Sequence, residues 1–170
     1  ANAGSVMPAY HDIDGEPCHA SHHLLTQVLR EEWGFDGLVV ADYGGVELLA
    51  SHHAIAENNA QAAALAFNAG LDIELPDDAC AERLTNAIDQ GLISIEKIDE
   101  IVARILSVKF EMGLFENPYC EVPTTPLHTE SSRELAYQIA SESIVLLKND
   151  GTLPLNTQTT LGLVGATVDD

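Results

Sequence analysis

Asp42 closes a short aliphatic run in GFDGLVVADYGGVELL (34–49), directly ahead of Tyr43, Gly44 and Gly45. Leu38, Val39 and Val40, bounded by Gly37 and the glycine pair, read as a buried strand. The carboxylate therefore falls at the C-terminal mouth of that strand. Two roles suit it there. A strand-end Asp commonly accepts backbone N–H bonds and caps the following turn. In α/β barrels, however, catalytic groups project from the C-terminal ends of strands into a shared mouth, and glycines just beyond would let a ligand approach closely.

Other residues compete for chemistry. Asp72 and Glu74 in LDIEL (71–75) lie two apart and share one face of a strand, either as acid and base or as partners of a nearby Arg and a loop amide. His19 and His23 are four apart at a helix start, with His22 between them, His11 upstream, and His52 and His53 adjacent in a loop. A metal site is conceivable, but position 20 is Ala rather than Glu, so the zinc-protease pattern fails. Histidines of this kind are most simply solvated or capping residues. Tyr10 and Tyr43 each sit at a strand end, where they could line one mouth or pack beneath loops. LGLVG (161–165) lacks the full glycine fingerprint of a dinucleotide site.

These residues need a frame, and the pattern along the chain supplies one. Strand-like runs at 4–10, 38–40 and 71–75 alternate with helical periods over 21–34, 57–69, 79–90 and 94–112. In the last of these, Ser94 caps, Ile98, Ile101, Val102, Ile105 and Met112 mark a buried stripe, and Gly113 ends the helix. Such alternation implies right-handed crossovers and a parallel sheet, either open or closed as a barrel. Three strands cannot close, whereas a complete (β/α)8 barrel takes about 250 residues. The segment 116–130, with Pro118, Pro123 and Pro126, has no period and reads as an extended linker. Beyond it, 131–147 is patterned as an amphipathic helix through Leu135, Ile139 and Leu146, and LGLVG begins another strand.

Composition narrows the partners. Lys and Arg number 7 against 27 Asp and Glu, a net charge of −20, which repels nucleic acid and anionic membrane and suits a neutral substrate. No run of about 18 apolar residues is present to span a bilayer. Cys18, Cys80 and Cys120 are spaced neither as metal ligands nor as a disulfide framework.

Five blocks, VMPAYHDIDGEPCHA (6–20), LREEWGFDGLVVADYGGVELL (29–49), ALAFNAGLDIELP (64–76), IDEIVARILSVKFEMGLFENPY (98–119) and ESIVLLKNDGTLPL (142–155), occur in this order over nearly the whole chain. Together they resemble glycoside hydrolase family 3, the β-glucosidases and β-xylosidases. The resemblance implies the C-terminal part of a (β/α)8 barrel over 1–115, a linker over 116–130, and the beginning of an α/β sandwich domain over 131–170. It implies that Asp42 is the catalytic nucleophile, with Met7, Tyr10 and Tyr43 around the sugar. The substrate would be a small neutral oligosaccharide or an aryl β-glycoside, with no nucleic acid or membrane partner, no metal and no cofactor. The family's Ser-Asp-Trp triplet stands here as Ala41-Asp42-Tyr43, which keeps the carboxylate but shrinks the stacking ring. The noncatalytic alternative is a carbohydrate-binding or interaction module in which Asp42 only bonds sugar hydroxyls.

Overall fold

Strand β1 (Ser5–Val6) pairs in parallel with β4 (Leu38–Val39), and Val40 bridges in parallel to Ile73, so three parallel stretches lie side by side. The computed structural model describes residues 3–76, 78–121, 124, 128–165 and 168, in two compact units, Ala1–Cys120 and Glu121–Asp170. The first unit is an α/β arrangement. Its strands are shorter than the pattern predicts. The run 4–10 contributes only Ser5 and Val6 to the ladder, because Pro8 has no N–H to donate. The chain then turns into an antiparallel hairpin of β2 (Asp12–Ile13) and β3 (Glu16–Pro17).

Helices cover one face of the sheet. Alternation along the strands sends Val6, Val39, Ala41 and Asp72 to that side, where Val39, Ala41 and Asp72 are buried and Val6 packs against the core. Met7, Val40 and Ile73 take the opposite side, and none of them is fully buried. The first covering helix, His23–Glu32, is wide: the Trp33 N–H bonds the Val28 carbonyl five residues back at 3.0 Å. Helix α1 (Leu48–Ser51) is a single turn. Helix α2 (Asn59–Ala69) starts where the Asn58 side chain accepts the Ala60 and Gln61 amides and ends at Gly70, whose φ of 122° a residue with a Cβ rarely adopts. Burial runs around much of α2, through Ala60, Ala62, Ala63, Ala64, Ala66 and Phe67. Alanine allows this, since its small side chain lets strands and neighbouring helices approach from several sides.

The expected helix over 79–90 divides into a 3-10 turn (Ala81–Arg83) and a short helix α3 (Leu84–Asp89). Helix α4 (Ile95–Glu111) has the Ser94 cap the sequence predicts, with its hydroxyl accepting the Lys97 amide. Ile98, Ile101 and Ile105 pack against the core, but Val102 and Met112 are exposed, which narrows the predicted stripe. In the second unit, helix α5 (Glu130–Ser143) is capped by Thr129 and stops short of 147, because Ile144 is already extended. The β-branched Ile144 and Val145 leave the helix there. Leu135, Ile139 and Leu146 are exposed, and 161–164 form no strand among the described residues. Pro123 and Pro126 of the predicted linker lie outside the described residues, as do 122, 125 and 127.

Candidate active site

The C-terminal ends of the parallel strands bring Tyr10, Asp42 and Tyr43 together. The Ala41 amide bonds the Ile73 carbonyl (2.8 Å) and the Gly44 amide bonds the Leu75 carbonyl (2.9 Å), so the main chain on both sides of Asp42 is held to its neighbour. Asp42 is half-buried. Its Oδ1 accepts the Tyr43 N–H at 2.7 Å, the turn-capping bond expected of a strand-end Asp. That bond leaves further lone pairs on the carboxylate for a ligand.

Around it, the Tyr10 hydroxyl donates to the Tyr43 carbonyl at 2.8 Å, tying the loop after β1 to the loop after β4. Partial desolvation, and then the hydrogen bond and negative charge of Asp42, hold the Tyr10 phenol above its usual pKa. It therefore remains a donor at neutral pH. Tyr10, Tyr43 and Met7 are 42%, 65% and 60% exposed, so each presents its side chain outward rather than filling the core. Met7 adjoins Val40 in the ladder register and shares its face.

The spacing of one neighbour pointed to a metal or a cap and not to Asp42. His19, expected to be solvated or capping, is buried in the turn Cys18–Ala20 directly beneath the Asp42 main chain. Its Nε2 accepts the Asp42 N–H at 3.3 Å and its Nδ1 lies 3.2 Å from the Ala9 carbonyl oxygen. A carbonyl only accepts, so Nδ1 carries the proton and the ring is neutral. Burial lowers its pKa, against smaller opposing effects of the Ala9 carbonyl and the Asp42 charge. Gly45, expected to make room for a ligand, makes room for this ring: a Cβ there would overlap His19 Nε2. The Gly44 φ of 70° reflects the tight turn itself. The signal missed is long-range, since His19 and Asp42 are 23 residues apart.

The rival carboxylates have other partners. Asp72 is buried, with Arg30 Nη2 on Oδ2 at 2.7 Å and Arg104 Nη1 on Oδ1, and it also accepts the Val39 amide at 2.8 Å. Glu74 accepts the Cys80 and Ala81 amides, at 3.1 and 2.6 Å through Oε2. These are the Arg and loop-amide partnerships that the sequence allows, and they take this pair away from the mouth, since Asp72 faces the helices. Of the histidines, His23 bonds Gln27 at 2.9 Å and His53 Nε2 lies 2.9 Å from the Tyr10 carbonyl oxygen. Among the described residues no three His, Cys, Asp or Glu side chains are grouped to hold a metal ion. No helix among them is long and apolar enough to cross a membrane.

Residues 1–108 match the family model for the glycosyl hydrolase family 3 N-terminal domain. The chain belongs to glycosyl hydrolase family 3. Among family relatives, it is 35% identical over 177 residues to a periplasmic β-glucosidase of Salmonella typhimurium, covering 99% of this chain and 23% of that protein. It is 38% identical over 162 residues to a β-xylosidase of Formosa agariphila, covering 90% and 22% respectively. A solved β-glucosidase of Listeria innocua in complex with glucose superimposes with a TM-score of 0.73 at 36% identity, over 91% of this chain and 22% of that one. A family 3 exo-β-xylosidase in complex with a xylobiose aziridine probe gives 0.66 at 32% identity, over 91% and 21%. The chain thus spans less than a quarter of the length of these family 3 relatives.

Proposed function

We propose that this chain is part of a retaining, exo-acting β-glycosidase that releases terminal β-linked glucosyl or xylosyl units, with Asp42 as nucleophile. The observation that carries the reading is the position of Asp42. It is a half-buried carboxylate at the C-terminal mouth of parallel strands, continuing the alternation of the face the helices leave uncovered, within a family 3 chain. Residues 1–115 are proposed to be the last strands and helices of a (β/α)8 barrel, residues 116–130 a linker, and residues 131–170 the opening of an α/β sandwich domain. Among the described residues the sheet carries helices on the face of Val39, Ala41 and Asp72, with Met7, Val40 and Ile73 on the other, which supports the barrel assignment.

In the proposed reaction a lone pair of Asp42 forms a bond to the anomeric carbon as the bond from that carbon to the leaving oxygen breaks. A second carboxyl, about 5–5.5 Å away, gives its proton to that oxygen. The same group then takes a proton from water, which displaces Asp42 and restores the starting configuration. That second group is proposed to lie outside residues 1–170. Tyr10 is proposed to orient the carboxylate through its phenol, while the exposed faces of Tyr43 and Met7 meet the sugar ring. A neutral oligosaccharide or an aryl β-glycoside suits a chain of net charge −20.

In the full-length protein that contains this chain, Asp42→Asn or Asp42→Ala should abolish hydrolysis of a nitrophenyl β-glucoside or β-xyloside while folding is kept. Near-normal turnover by either variant would refute the assignment. Incubation with a 2-deoxy-2-fluoro glycoside followed by peptide mass mapping should find a covalent adduct on Asp42. The turn-capping bond from Tyr43 N–H is the feature that favours a noncatalytic binding module, and such a module would yield no adduct.

A further inference from the structure

We infer that His19 is a positioning residue for Asp42: its neutral imidazole suspends the Asp42 amide from the Ala9 carbonyl and so sets where the carboxylate stands. The inference rests on the reading of Asp42 as nucleophile. Three observations converge on it. The ring is 2% exposed, too deeply buried to touch a substrate itself. Its two nitrogens are both engaged across the fold, Nδ1–H with Ala9 after β1 and Nε2 with the Asp42 amide after β4. The site is also shaped for it, because only a glycine at position 45 leaves room for the imidazole.

The consequence concerns geometry rather than charge. An amide donates and cannot accept, so a protonated Nε2 would oppose the Asp42 N–H and push the β4 end away. The neutral tautomer instead pins the residue whose carboxylate oxygen must reach an anomeric carbon. The titratable groups facing the ring are Asp42, His53 and Tyr10, whose ring stacks on His19 with centroids 6.3 Å apart. Asp42 favours the proton on His19, His53 disfavours it, and burial outweighs both.

The two amide substitutes separate the two bonds. In His19→Gln, the side-chain oxygen reaches the place of Nε2 and can accept from Asp42. In His19→Asn, the shorter amide reaches the place of Nδ1, so it keeps the bond to Ala9 and loses the one to Asp42. A packing role alone would treat the variants according to their stability. A positioning role predicts that kcat falls by up to about 10²-fold in His19→Asn with KM little changed, and that His19→Gln recovers most of the loss.

The experiment measures kcat, KM and thermal midpoint for both variants in the full-length protein, with Asp42→Ala alongside. Equal kcat losses in Asn and Gln variants, or loss that tracks the midpoint alone, would overturn the inference. An active Asp42→Ala protein would instead overturn the reading of the nucleophile. A measurement on the unsubstituted protein covers the case in which His19→Asn does not fold. The 15N spectrum of histidine-labelled protein should show the His19 Nε2 without a proton at neutral pH, and a protonated Nε2 would overturn the inference.

Discussion

Replacing Asp72 by Asn should weaken folding of the domain that contains it by about 3–5 kcal/mol. The figure follows from what the carboxylate holds. Its side chain is completely buried, and the Arg30 and Arg104 side chains around it are only 13% and 19% exposed. Oδ2 takes Arg30 Nη2 at 2.7 Å and the Val39 amide at 2.8 Å, while Oδ1 takes Arg104 Nη1. A hydrogen bond to a charged group contributes about 1.5–3 kcal/mol, and two such bonds would be lost or weakened together. An Asn at this place offers one acceptor oxygen and turns an NH₂ group toward a guanidinium. Two cations would then share a site with little water and no counter-charge between them. Arg30 keeps the Gly37 carbonyl at 3.1 Å and Arg104 keeps Glu100 at 2.7 Å, which holds the loss toward the lower end of the range.

Urea unfolding of the full-length protein, followed by circular dichroism, measures the effect. The expected signature is a lower midpoint at an unchanged slope, since the surface exposed on unfolding is the same. A triple change, Asp72→Leu with Arg30→Met and Arg104→Met, should recover most of the stability, because it removes the cost of burying the charges along with their attraction. An Asp72→Asn protein within about 1 kcal/mol of the parent would match an exposed ion pair. That result would refute the argument that this carboxylate clamps helix His23–Glu32 and α4 onto the sheet.

Two further outcomes follow from His19 and its surroundings. Gly45→Ala places a methyl group on an imidazole already held by two bonds, so it should destabilise the fold by about 1–3 kcal/mol, and an unchanged thermal midpoint would show that the ring gives way freely. The His19 pKa is lowered from an ordinary 6.5 chiefly by burial, so between the two values the unfolded chain binds the extra proton. Stability should therefore fall as the pH drops below about 6.5 and stop falling, for this group, once the pH passes the lower folded value. Comparison of urea midpoints with His19→Gln between pH 7 and 5 isolates the effect, and identical pH slopes would contradict it.

Much of this protein is legible along the chain because its cause is local. Ser94 caps α4 and Gly70 ends α2, because each acts on amides or dihedrals within a turn of itself. The family motifs and the placement of Asp42 after Val39 and Val40 belong to the same category. Apolar spacing was a weaker guide. It located α4 and α5, yet Val102, Leu135 and Ile139 are exposed, since a period names a face and cannot say what covers it. The run 4–10 departed from the pattern for a backbone reason, as Pro8 cannot continue a ladder.

What only the tertiary structure decided are the partnerships made between distant residues. Asp72 meets Arg30 and Arg104 across 42 and 32 positions, and His19 reaches the Asp42 amide across 23. No spacing rule links such residues, because their separation in space is set by how helices pack on a sheet and not by distance along the chain. The sequence by itself determined that a carboxylate would stand at the end of a buried strand. Folding decided which imidazole would sit beneath it, in which tautomer, and that a glycine three residues on would have to leave the ring its place.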